Sequence, residues 1–395
     1  MNTRYTFALL CVFAPLFLGA CVPVTAPAPG PLPQQEALAP SDVAPMTTAV
    51  TEALPATQAP EIGAAASETP PATRTRRPRV KAEVELVKLE IQALAGNLLG
   101  DPTERNVQII LPPGYAESDK RYPVVYMLHS YTGGDNYAWD IKSDYEAALR
   151  DNAIQEMILV FPNADNRLGG SMYLSSPTIG DYEDYLTKEL VEYVDSHYRT
   201  LSQRESRGVA GCAMGGDGAV HLGFKYPDIF VAAVAMSGTY FWDRDPWLER
   251  STSGFSQSPA NDLEFAMLPS ETQWEIAVAA ALSPNPDNPP FYLDMPYTIV
   301  DGKAELAPGF VDKLRAADPV ADAERYLQQP VRLDGLLVLH GHYAEAVPLE
   351  LAQAFDALLT QKGIDHEFDG TLNSYCSNDM KLPMLEFFSE HLAFE

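Results

Sequence analysis

From Val84 onward the chain alternates short apolar runs with stretches of helical spacing. VELVKLEIQAL, beginning at Val84, alternates apolar and polar residues as a strand with one buried face does. NVQIILP is a second strand, stopped by Pro112, Pro113 and Gly114. Residues 122–129 (YPVVYMLH) and 156–162 (EMILVFP) are almost wholly apolar, the pattern of strands covered on both faces. Between 181 and 199, Tyr182, Tyr185, Leu186, Glu189, Leu190, Tyr193 and Val194 recur at helical spacing. Residues 207–212 (RGVAGC) read as a short strand followed by a helix through Tyr226, and 230–238 and 334–341 as buried strands. Amphipathic helices are predicted at 348–362 and 383–394, with a late strand at 364–370 between them. Strand–helix alternation of this kind predicts an α/β fold: a mostly parallel central sheet with helices on both faces. Residues 239–330 break the rhythm with Trp242, Trp247, Trp274 and many prolines. They are too long for a bare connection, and are predicted as a helical or irregular lid insertion over one end of the sheet.

The first 83 residues have a different texture. A single Arg4 precedes an apolar run from Phe7 to Ala20, too short for a comfortable bilayer span and placed as a signal peptide is. The run closes with Leu18-Gly19-Ala20-Cys21, which resembles the lipobox of bacterial lipoproteins. That resemblance makes 1–21 a lipoprotein signal segment in which Cys21 becomes the lipidated first residue of the mature protein, and implies anchoring in the cell envelope. Val22 after the Cys resembles the outer-membrane sorting pattern. Residues 22–73 hold 11 Pro and 13 Ala, too little apolar surface to offset ordering entropy, so 22–83 is predicted as a disordered tether. It ends in a basic cluster, Arg74, Arg76, Arg77, Arg79 and Lys81. The whole charge of −27 falls on 84–395, with 21 basic and 48 acidic residues. Such a surface repels nucleic acid, which is excluded as a partner class.

Gly211-Cys212-Ala213-Met214-Gly215-Gly216-Asp217-Gly218-Ala219 resembles the nucleophile elbow of α/β-hydrolases, in particular the esterase D, S-formylglutathione hydrolase and mycolyltransferase group. HLGFKYPDIFVAAVAMSG, YPVVYMLHSYTGGDNYAW, AADPVADAERY and LLVLHG agree with that group in order and spacing, so the resemblance covers about 84–394. It implies the α/β-hydrolase fold, a Ser–acid–His triad and an oxyanion hole from the N–H groups of Met214 and Tyr131, with no cofactor. An elbow lifts one side chain into the cleft between strand and helix. That side chain is Ser in active relatives and Ala213 here, and a methyl group cannot attack a carbonyl. The acid position falls on Ala344, next to Glu345, and the His position on Leu372 or Asn373. No His lies between His366 and His391, so all three roles read as vacant. Ser130 stands where the oxyanion loop carries Gly.

Other residues offer substitutes. Cys212 sits beside the apex as a small buried hydrophobe or a displaced nucleophile, and exported compartments permit a bridge to Cys376. His340 and His342 alternate on one strand end near Glu345, the one arrangement in which zinc is conceivable. His129 reads as structural, and His197 and His221 as packing or solvated helix positions. Tyr131, Tyr173, Tyr240, Phe241 and Trp242 surround the expected cleft, either packing the insertion or lining a pocket for an acyl chain, a glycan or a peptide. The sequence thus predicts a catalytically degenerate, lipid-anchored esterase relative that binds or scaffolds. The alternatives are an active carboxylesterase or acyltransferase with displaced groups, or a metal-dependent protein using His340 and His342.

Overall fold

The computed structural model describes residues 80–134, 137–253, 255–342, 347–373 and 375–395. The signal segment with Cys21, nearly all of the tether, and Ala344 and Glu345 lie outside the described residues.

Eight strands form one sheet: β1 (Glu83–Glu90), β2 (Glu104–Leu111), β3 (Val124–Leu128), β4 (Ile158–Pro162), β5 (Arg207–Cys212), β6 (Ala232–Met236), β7 (Gly335–Gly341) and β8 (Glu367–Leu372). Their spatial order is β1-β2-β4-β3-β5-β6-β7-β8. β2 runs antiparallel to both neighbours, and every pair from β4 to β8 is parallel. Parallel neighbours need crossovers, and the helices that supply them cover both faces. This is why β3, β4 and β6 are apolar and buried at every position. Alternate residues of β3 feed two cores: Val124, Tyr126 and Leu128 join one layer, Val125 and Met127 the other.

The helices of eight or more residues are α1 (Tyr137–Asp151), α2 (Leu190–His197), α3 (Met214–Lys225), α4 (Pro246–Ser253), α5 (Ser270–Leu282), α6 (Phe310–Ala317), α7 (Pro319–Tyr326), α8 (Leu349–Lys362) and α9 (Lys381–His391). α1 and α9 supply Ile141, Tyr145, Met384 and Phe388 to one core, while α3 and α8 supply Val220, Phe224, Phe355 and Leu359 to the other.

Three elements differ from the sequence expectation. The helix predicted at 181–199 is broken into Tyr182–Asp184, a π-helical turn Tyr185–Glu189, and α2. The last helix begins at Lys381 rather than Pro383, because Lys381 is buried and donates to the Asp140 carbonyl on α1 at 2.7 Å; Pro383 then lies in the first turn, where its missing N–H costs nothing. The insertion is not only helical. It contains α4 to α7 and a hairpin, Tyr297–Val300 with Lys303–Leu306, turned by Asp301-Gly302 with both residues at positive φ.

Candidate functional site: a vacated elbow

β5 and α3 meet at Ala213, whose backbone has φ 55° and ψ −119°. That conformation is strained for any residue with a Cβ. It is fixed on both sides: the Ala213 N–H donates to the Met236 carbonyl at 2.9 Å, and the Ala213 carbonyl accepts from the Asp217 N–H at 3.0 Å. Two glycines let the turn pack. A Cβ on Gly211 would overlap the Gly215 carbonyl, and one on Gly215 the Leu128 carbonyl. The elbow therefore keeps its strained geometry with only a methyl at its apex. Ala213→Gly, which removes the Cβ penalty, is expected to raise stability by about 1 kcal/mol in urea unfolding; a loss of that size would show that the methyl's packing outweighs the strain.

The apex faces a cavity of about 280 Å³. Ser130, Tyr131 and Met214 line it with Ala213. Neither the Met214 nor the Tyr131 N–H has an acceptor among the described residues, so both remain available to an incoming oxygen at the positive end of α3. His129 supports this loop from beneath. Its Nε2 accepts the Ala164 N–H at 2.9 Å, which leaves the proton on Nδ1 for the Ser130 carbonyl at 2.7 Å.

The His position of the sequence reading is not where Asn373 lies. Asn373 is exposed, and both its backbone N–H and its Nδ2 donate to Asp379, at 2.9 and 2.7 Å. Among the described residues of this turn, Tyr375, two positions on, lines the cavity. A disulfide between Cys212 and Cys376 holds it there: the two Cα atoms are 5.8 Å apart, and the bridge ties the neighbour of Ala213 to the neighbour of Tyr375. Cys212 is consequently no nucleophile. Burial, followed by the charges of Asp217 and Asp245, raises the Tyr375 phenol well above its ordinary value, so it is neutral and a poor base.

The insertion closes the other side. Asp245, Trp247, Ser270 and Trp274 line the cavity, whereas Phe241 and Trp242 pack into the core and do not. Tyr173 and Tyr240 are also fully buried and serve packing. Asp245, which the sequence reading did not single out, is raised to about 6 by burial, only partly offset by the Trp247 N–H and Arg250. Behind it Glu275 is raised to about 8, again by burial and then by Asp245, so it is mostly protonated at neutral pH. Asp217, one turn into α3, is raised well above its ordinary value by complete burial.

His340 is buried, its Nε2 bonded to the Val347 carbonyl at 3.0 Å, and burial lowers its pKa. His342 is exposed just past the end of β7. Among the described residues no three potential ligands gather around a common point.

A family model described as putative esterase matches residues 101–289, the span from β2 through the elbow into the insertion. Over that segment, just under half of its length, the chain is similar to an esterase family. An esterase of Mycobacterium tuberculosis is 30% identical over 145 residues, which cover 35% of this chain and 30% of that protein. The matched region is thus about a third of that relative's length. An S-formylglutathione hydrolase from Staphylococcus aureus superposes with a TM-score of 0.53 at 13% identity, over 79% of this chain and 99% of its own. A ferulic acid esterase gives 0.51 at 20% identity, over 79% and 100%. These likenesses show the α/β-hydrolase fold over about 79% of the chain. Within it Ala213 holds the apex and Tyr375 the facing wall.

Proposed function

We propose that this esterase-family chain is catalytically degenerate and works by binding a small ligand in the vacated cleft, as a lipid-anchored protein of the cell envelope. The observation that carries the reading is Ala213 at the apex of an intact elbow. Serine and threonine hydroxyls line the same cavity, but no histidine does among the described residues, so none of them has the imidazole base of a triad. Loss of a triad member costs on the order of 10⁴–10⁶ in turnover, and the oxyanion donors alone retain ~10³–10⁴ over water. What the elbow keeps, a preformed cavity with two free N–H donors, serves binding as well as it once served catalysis. The lipobox-like Leu18–Cys21 segment and the long tether support the envelope assignment.

The test is turnover. The purified chain is expected to hydrolyse p-nitrophenyl acetate only weakly and to resist a fluorophosphonate probe, and Ala213→Ser is expected to restore little because no imidazole stands beside it. Stoichiometric labelling of the native chain, or a fast esterase from that single change, would defeat the reading.

A further inference from the structure

The cavity has a charge pattern that loss of the triad does not account for. Among the described residues Asp245 is the one charged side chain lining it; no Lys, Arg or His does. Its Oδ1 accepts the Trp247 N–H at 2.9 Å, and it forms no ion pair among the described residues. Arg250 acts on it only through space and sits 5.8 Å from the Trp247 ring centroid. Glu275 lies behind it, deeply buried, with its Oε2 unpartnered. The same cavity is lined by aromatic side chains: Trp247, Trp274, Tyr131 and Tyr375. Tyr131 is fixed in place, its hydroxyl donating to the Leu168 carbonyl at 2.7 Å and its ring edge-on to Trp274 at 5.1 Å.

A half-buried carboxylate with no cation beside it is costly, and a wall of indole and phenol rings offers negative π faces. Both demands are met by the same occupant. We infer that the cleft is a receptor for a small organic ammonium ion, its charge held by Asp245 and its alkyl groups packed against Trp247, Trp274 and Tyr131. An ester or carboxylate oxygen on the same molecule would reach the Met214 and Tyr131 N–H groups, so a short zwitterion or an ammonium ester suits the cavity from both ends. The strongly acidic domain adds long-range attraction for cations and repels anionic acyl ligands. This inference rests on the binding reading above and names the class of ligand for that site.

The experiment is calorimetric titration of the full chain with acetylcholine and with 3,3-dimethylbutyl acetate, which has nearly the same shape with carbon in place of the charged nitrogen. Acetylcholine is expected to bind at least tenfold more tightly. Asp245→Asn, which keeps an acceptor for the Trp247 N–H, should erase that preference while changing the neutral ester's affinity less than twofold. Trp274→Leu should weaken both. Equal affinities in the native chain would overturn the ammonium assignment and leave the binding cleft standing; failure of both compounds to bind would overturn it too. Hydrolysis of both at the rate of an active esterase would instead sink the degenerate-enzyme reading without touching the preference for charge.

Discussion

Replacing His221 with Leu is expected to cost about 3–5 kcal/mol of stability, the range for removing one partner from a buried ion pair. His221 lies on α3 on the far side of the elbow helix from any catalytic role. It is buried, with Nδ1 2.7 Å from Asp322 on α7 and Nε2 3.2 Å from Glu183. Glu183 also accepts from Lys225 and the Tyr226 hydroxyl, and Asp322 from Arg325. Lys225 and Arg325 are about half exposed, so water screens them and they cannot stand in for the imidazolium. Leucine would leave two buried carboxylates facing a hydrocarbon. Burial works against the charge on His221, but Asp322 first and Glu183 second outweigh it and raise the imidazole to about 9 from 6.5. Because the folded value is the higher one, the stabilisation is fully present below about 6.5 and is lost as pH rises through about 9. Glu183 has the opposite sign. Burial pushes its carboxyl up, yet His221, Lys225 and Tyr226 together bring it down to about 2, so its contribution holds above 4.5 and disappears as pH falls through about 2. Urea unfolding of the native chain and the variant should therefore show the largest gap near pH 6 and a shrinking one by pH 10. A gap that does not change over that interval would mean His221 is neutral in the folded protein.

This cluster also shows where sequence reasoning stops. His221 reads from the chain as an ordinary helix position because its partners, Glu183 and Asp322, lie 38 and 101 residues away. No local pattern brings the turn Tyr182–Asp184, α3 and α7 together. By contrast, β3 to β7 were legible because parallel strands buried on both faces are written as unbroken apolar runs, and the elbow because its glycines are required by the close approach of β5, α3 and the end of β3. Ala213, Met214, Ser130 and Tyr131 could be placed on the cavity for the same reason: they sit at strand ends whose register the motif fixes. The turn after β8 carries no such constraint. It has neither a histidine nor a periodic pattern, so the sequence leaves the position open between Leu372 and Asn373, while Tyr375 lines the cavity. Asp245 was invisible because the insertion that delivers it has no rhythm of its own. Only its fold, with α4 and α5 packed side by side, sets a carboxylate among the tryptophans.

Removing the Cys212–Cys376 bridge is expected to lower stability by about 2–5 kcal/mol and to loosen the wall opposite Ala213. The two cysteines are separated by 164 residues, so in the unfolded chain the cross-link closes a long loop and removes much of its freedom. In the folded chain it costs little, since both ends already belong to packed structure: Cys212 ends β5 and is buried, and the Cys376 N–H donates to the Ser237 hydroxyl at 3.2 Å at the end of β6. That second tether is a single neutral hydrogen bond, worth about 1 kcal/mol, and cannot hold the 375–380 turn against the sheet as the bridge does. Cys212→Ala/Cys376→Ala should consequently unfold at lower urea, and bind ligand in the cleft more weakly because Tyr375 is no longer pinned beside the apex. The native chain reduced with dithiothreitol separates the cross-link from the lost sulfur volume: it should be destabilised nearly as much as the double variant although every side chain is still present. If the unreduced protein, once unfolded, yields free thiols at both positions, there is no bridge to lose, and the placement of Tyr375 over Ala213 loses its cause.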